Sequence, residues 1–228
     1  SLIGRRLMVL RPGRPDADVA VLFDAGEGLV GSPGVSYDGK WVYFSHLPAG
    51  KPFYQIHRVP ADGGPAEWLT DAAFHDFDPA ELPDGRIVFS STRMGTYEEY
   101  HSAPTRGLFA YDPASRTVRL VTGSQVFDNE PKVMADGRIA FVRADNFGER
   151  AKVETRIHVV RPDGTGGITA FGPDRPPLRY DRARAGGELP ALLRNHGYGS
   201  PAPLPNGRLA CLSHAGLLLS MPGDPAPP

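Results

Sequence analysis

One motif recurs along this chain and limits the folds open to it. The stretch His75–Arg93, HDFDPAELPDGRIVFSSTR, turns at Asp84-Gly85 into the apolar run Ile87-Val88-Phe89. Variants of its core return at Ser36–Ser45 (SYDGKWVYFS), Phe127–Arg143 (FDNEPKVMADGRIAFVR) and Ser200–Ser213 (SPAPLPNGRLACLS). Each crosses an Asp-Gly or Asn-Gly pair before an apolar run, the pattern of a β-hairpin. The acid or amide tolerates the tight bend and glycine supplies the positive φ. The turn glycines Gly39, Gly85, Gly137 and Gly207 are 46, 52 and 70 residues apart. That is near the roughly 40 to 50 residues of propeller blades once insertions are allowed.

Taken in order, the chain predicts an all-β propeller of four-stranded blades. It holds about four blades' worth of strands and is open to being part of a larger ring. Complete units are expected at about 34–70, 71–123 and 124–172, and a split unit at 199–221 plus 5–24, within a propeller domain spanning 1–221. The insertion 173–198 breaks the rhythm with the Pro- and Arg-rich run Pro173–Pro177 and a short helix over Leu189–Asn195, and Pro222–Pro228 reads as a Pro-rich tail. The pairs Asp78-Pro79 and Glu130-Pro131 and the stretches Gly31–Gly34 and Gly199–Pro201 read as strand-opening turns. Trp41, Tyr43, Phe44 and Trp68 fall on predicted strands and are expected to pack between blades. Near-continuous apolar runs fit sheets buried on both faces by their neighbours.

Composition narrows the partners. The 27 Gly and 24 Pro suit many short strands, and a formal net charge of −1 removes the case for a nucleic-acid partner, which needs a clustered basic face. No run approaches the roughly 18 apolar residues of a membrane helix, so no membrane insertion is expected. A single cysteine, Cys211, excludes an internal disulfide and any Cys-x-x-Cys site, and its apolar flanks predict a buried thiol. Without an initiator Met, the chain reads as a piece of a longer protein.

With these repeats in view, the chain resembles the β-propeller repeats of the Tol-system translocation protein (TolB-like, WD-repeat-like). There a strand, an Asp-Gly turn, an apolar strand and a hairpin ending in Leu-Thr recur as in Ser36–Thr70. It is also similar to the propeller region of hydrazine synthase alpha subunit-like proteins, through DFDP-x-x-LPDGRIVF-x-STR at Asp76–Arg93 and FDNEP with ADGRIAF at Phe127–Phe141. The resemblance implies the fold and a periplasmic or extracellular setting. Covalent haem needs Cys-x-x-Cys-His, which this sequence lacks, so no cofactor is expected apart from a calcium ion.

That ion has a candidate site. Asp76, Asp78, Asp128 and Glu130 precede the turns of two successive units, and inner strands line a propeller's channel, so these oxygens could converge on a hard cation. The alternative is structural, with the acids satisfying backbone N–H groups of an adjacent blade. His75 adjoins this cluster, and His101 and His196 fall on loops, making the three candidate ligand-binding residues. His57 and His158 occupy matching third-strand positions, which favours packing. Gly164–Gly167 joins two strands with no helix to follow, against a phosphate loop. No catalytic residue is identified. The chain therefore reads as a non-catalytic module that presents Met94–Arg106, Asp145–Glu154 and Gly172–Tyr198 to a protein partner or small ligand. The alternative is the propeller of an extracytoplasmic redox enzyme whose haem domains lie outside this chain.

Overall fold

The computed structural model describes residues 3–10, 19–98, 102–145, 154–171, 198–213 and 216–219. Among them the chain is all β apart from one 3-10 turn at Thr92–Met94. It divides into two compact units, Ser1–Arg93 with Leu108–Arg119, and Met94–Gly107 with Leu120–Pro228.

In the first unit the strands are β1 (Ile3–Gly4), β2 (Arg6–Leu10), β3 (Val19–Asp24), β4 (Leu29–Val35), β5 (Trp41–Leu47), β6 (Gln55–Pro60), β7 (Glu67–Trp68), β8 (Asp76–Glu81), β9 (Ile87–Ser91) and, from Leu108 on, β10 (Gly107–Asp112). β11 (Thr117–Thr122) starts in this unit and ends in the second. The first sheet has the order β1-β4-β5-β6-β7, the second β11-β10-β9-β8, and β2 pairs with β3 alone. Leu7 of β2 packs with Val30, Val42, Phe44 and Val59, which seats the two-stranded ribbon on the first sheet. The first blade begins at Leu29, ahead of the expected boundary at 34.

The second unit contains β12 (Phe127–Val133), β13 (Ile139–Asp145), β14 (Glu154–Val160), β15 (Ile168–Phe171), β16 (Tyr198–Pro203), β17 (Leu209–Ser213) and β18 (Gly216–Leu219). They form the antiparallel sheets β12-β13-β14-β15 and β16-β17-β18. Met134, Ala140, Val142, Ile157 and Val159 share one core with Leu209 and Cys211, so these two sheets are packed face to face. Cys211 is buried there, and burial pushes its thiol pKa up. The helix expected over 189–195, most of the insertion 173–198 and the tail 222–228 lie outside the described residues, as do 146–153.

The repeated hairpin turn is the same object in three sheets. Gly85 N–H donates to Leu82 O and Leu82 N–H to Arg86 O, at 2.9 and 2.7 Å, and Met134–Arg138 and Leu204–Arg208 repeat both bonds. This is a type I turn closed by a left-handed glycine. Gly85 and Gly137 both have φ +84°. Asp84 and Asp136 each accept from the backbone N–H and the Nε of the following arginine, which fastens the turn.

The Ser-Pro, Asp-Pro and Glu-Pro pairs do not open strands. They lie inside β4, β8, β12 and β16, where the register shifts between Gly31/Gly34, Phe77/Ala80, Asn129/Lys132 and Gly199/Ala202. Ser32, Asp78, Glu130 and Ser200 stand at φ of 50–54°. A bulge releases one residue from the ladder, so a proline without an N–H and a left-handed neighbour fit in mid-strand. Trp68 also departs from expectation: it is 53% exposed. It sits on the two-residue edge strand β7, where its ring meets His57 at a tilt of 59° and the rest of the indole stays open to solvent.

Gly85 isolates the turn's backbone requirement, because an added Cβ would meet nothing within 4 Å. Gly85→Ala is expected to cost about 1–2 kcal/mol, and Gly85→Asn less, in urea unfolding followed by far-UV circular dichroism.

Candidate functional site

Near the start of the inner strand, two sheets bury a carboxylate against an arginine. In β8 the carboxylate of Asp76, fully buried, accepts from Ser91 Oγ at 2.6 Å and from Arg93 Nη2 at 2.7 Å. Arg93 lies over Phe74 and Phe89, 5.7 and 5.8 Å from their centroids. In β12 the equally buried Asp128 accepts from Arg143 Nε and Nη2, both at 2.7 Å, and from Thr122 Oγ1. Ser91 and Arg143 come from the strand opposite, in register with Asp76 and Asp128, whereas Arg93 comes from the 3-10 turn that follows β9 and Thr122 from the end of β11. Aligning the bulges puts Val30 of β4 at the same position, opposite His46. There the acid is missing, and His46 Nε2 is buried with no partner among the described residues.

Asp78 and Glu130 are the bulge residues themselves. Asp78 Oδ1 accepts from Ser32 Oγ at 2.5 Å, and its N–H donates to Ser45 Oγ. Glu130 Oε2 accepts from Ser200 N–H at 2.9 Å. Each acid thus joins the bulge of its own inner strand to the bulge of a neighbouring one, β8 to β4 and β12 to β16. All four carboxylates singled out from the sequence are engaged by protein donors. Among the described residues, no three His, Cys, Asp or Glu side chains gather as metal ligands.

His75 stacks parallel on Phe77 at 5.5 Å, meets Phe53 edge-on, and takes the Tyr54 N–H at Nδ1. His101 and His196 lie outside the described residues. His57 and His158 occupy the same place on the third strands β6 and β14, each opposite a phenylalanine, Phe44 and Phe141. Burial first, and for His57 the neighbouring His46, hold its pKa down at about 4 against a weaker opposing bond to Gln55 O. His158 is likewise lowered to about 4, by burial and then by Arg143 and Arg156. Periodicity could pair these histidines, but their ring partners required the register.

Of the insertion Met94–Arg106, the described part forms a short hairpin. Thr105 N–H donates to Thr96 O at 2.9 Å, the Thr96 and Thr105 hydroxyls lie 2.6 Å apart, and Tyr97 bridges Pro104. Glu98 is buried and its N–H donates to Ala103 O, whereas Tyr97 is 70% exposed.

Four-stranded antiparallel sheets with a repeated Asp-Gly turn can be matched against solved folds. The structure superposes on a putative TolB from Agrobacterium tumefaciens with a TM-score of 0.63 and 18% identity, over 92% of this chain and 63% of that one. TolB from Acinetobacter baumannii gives 0.55 and 17%, over 90% and 46%. The fold is that of TolB-like β-propeller domains. Kuenenia stuttgartiensis hydrazine synthase matches in fold as well, at 0.63 and 16%, over 90% of this chain and 38% of the enzyme. In sequence this chain is 33% identical over 132 residues to an uncharacterised protein of Agrobacterium fabrum, a stretch that is 56% of this chain and 44% of that protein. No protein-family model matches. The chain spans less than two-thirds of the length of each of these relatives.

Two measurements probe the site. Removing one partner of a buried ion pair strands the other, so Asp76→Ala should cost about 3–5 kcal/mol, and the double variant Asp76→Ala, Arg93→Met should cost less than the single one in urea unfolding. The imidazoles of His57 and His158 titrate near 6.5 when unfolded and lower when folded, so the fold prefers them neutral. Their contribution is full above pH 6.5 and drains away as pH falls toward 4. The melting temperature should fall across that window, and less steeply in His57→Phe.

Proposed function

We propose that this TolB-like domain is a non-catalytic binding module whose insertion loops, grouped on one face, engage a protein partner outside the cytoplasm. The observation that carries this reading is the presentation of Tyr97. Its hairpin is pinned by the paired Thr96 and Thr105 and by the bridge to Pro104, yet the phenol ring is left in solvent. A tyrosine on a rigid loop offers a large amphipathic contact at low entropic cost, the economy used by binding surfaces. In sequence, the residues that follow, Glu99-Tyr100-His101, continue the polar and aromatic composition.

The recurrent carboxylates support the same reading from the other side. Asp76, Asp78, Asp128 and Glu130 spend their oxygens within and between sheets, so in this proposal they build the scaffold and hold no ion. Calcium is then not required, and adding a chelator should leave the melting temperature unchanged.

The test places a photo-crosslinking amino acid at position 97 of the full-length protein in its own cells. A discrete protein adduct is expected from position 97 and none from position 35, an equally exposed site on β4. Tyr97→Ala should weaken binding of the crosslinked partner at least tenfold, with unchanged melting. No adduct at 97, or the same adducts from both positions, would overturn the reading.

A further inference from the structure

The two units carry the same cross-strand ladder of rings, complete in the first and one ring short in the second. In β5-β6-β7 the register sets Phe44 beside His57 and His57 beside Trp68. The centroids are 5.7 Å apart for the first pair and 4.5 Å for the second. In β13-β14-β15 the same places hold Phe141, His158 and Thr169. Phe141 and His158 stand 5.8 Å apart, but beyond the imidazole the place of the indole is taken by Thr169, its hydroxyl 3.4 Å from Nε2.

A cavity of about 370 Å³ lies against these residues, within the range of roughly 300–1,000 Å³ usual for small-molecule sites. Gly123, Gly164 and Gly167 line it and contribute no side chains to fill it. Gly164 has no alternative, because at φ +88° a Cβ would stand 2.6 Å from Val121 O. The space is therefore enforced by the backbone on one side and by the Trp-to-Thr difference on the other.

The wall defines what fits. Phe141, Val160 and Ile168 give apolar surface, and Thr169 and His158 give a hydroxyl and an imidazole. Arg143 also reaches the wall, but its Nε and Nη2 are committed to Asp128, and Nη2 also to Gly123 O, so it presents a neutralised pair. His158 stays uncharged at neutral pH for the reasons given above. A cation would find no counter-charge here and an anion no uncommitted one, whereas a flat ring would find a stacking face with polar groups at its edge.

We propose that this cavity binds a small uncharged aromatic or heteroaromatic molecule of one or two fused rings, stacked on His158 on the side away from Phe141, where it completes the ladder that Trp68 completes in the first unit. The edge of the ring meets the Thr169 hydroxyl. This site is independent of the Tyr97 loop, and either can fail without the other.

Indole, the ring that Trp68 itself supplies in the first ladder, is the probe. Titrated into the full chain, it should shift the His158 ring and Thr169 methyl resonances saturably at millimolar concentration or below, leave those of His57 in place, and raise the melting temperature. Cyclohexanol, non-planar and similar in bulk, should not compete. Thr169→Trp should melt no lower than the parent and bind indole at least tenfold more weakly. Absence of a saturable shift in the parent, or undiminished binding in a folded Thr169→Trp, would overturn the proposal. Should that variant not fold, the parent decides alone: shifts confined to the His158 neighbourhood support the site, and shifts scattered over the surface refute it.

Discussion

A carboxylate buried near the start of the inner strand, bound to a guanidinium from the next strand or from the turn that follows it, is the constraint the architecture leans on. Burying an acid without such a partner would cost several kcal/mol, and the two hydrogen-bonded oxygens turn that cost into a positional demand. The strand carrying Asp76 must present it to Ser91 and Arg93, and the strand carrying Asp128 must present it to Arg143. A slip of one residue would send either acid to the opposite face of the sheet. Inner-strand register is therefore set by charge at one end and by the Asp-Gly turn at the other, with the bulge taking up the difference between them.

Much of this was legible in the residues. Asp-Gly and Asn-Gly pairs ahead of β-branched and aromatic runs marked the hairpins, and strands such as β17 fell where the apolar run stood. What sequence could not show was which way the acids faced. DFDP and DNEP look alike as clusters of oxygen ligands, and two-residue spacing would put Asp76 and Asp78 on one face, yet the bulge separates them, one turned into the sheet's own clamp and the other held at the register shift. Proline misled for a related reason. Its usual place at the opening of a strand made Pro33, Pro79, Pro131 and Pro201 look like boundaries, whereas a bulge admits it in the middle. Tyr97 was covered only as part of an insertion, because exposure on a pinned hairpin has no signature in composition.

Where the repeats differ is as informative as where they agree. Val30 replaces the acid in the first sheet, and the histidine opposite it is left with a buried nitrogen lacking a partner among the described residues. Thr169 replaces the indole in the third, and a cavity stands beside the imidazole it leaves uncovered. A repeat architecture makes such comparisons internal to one molecule: each sheet shows what its sister would have placed at the same point.

The spacing of these bonds along the chain carries a consequence for assembly. The clamps of Asp76 and Asp128 close over at most 17 residues, whereas the bonds joining one bulge to another span 46 and 70. Asp128 and its donor Arg143 leave the ribosome well before Ser200, the partner of the Glu130 bulge, whereas Ser32 and Asp78 have both been made before Ser91 and Arg93 appear. Local closure is the less entropically demanding step, so sheets are expected to form one by one, vectorially, with the stapling of neighbours following as synthesis proceeds.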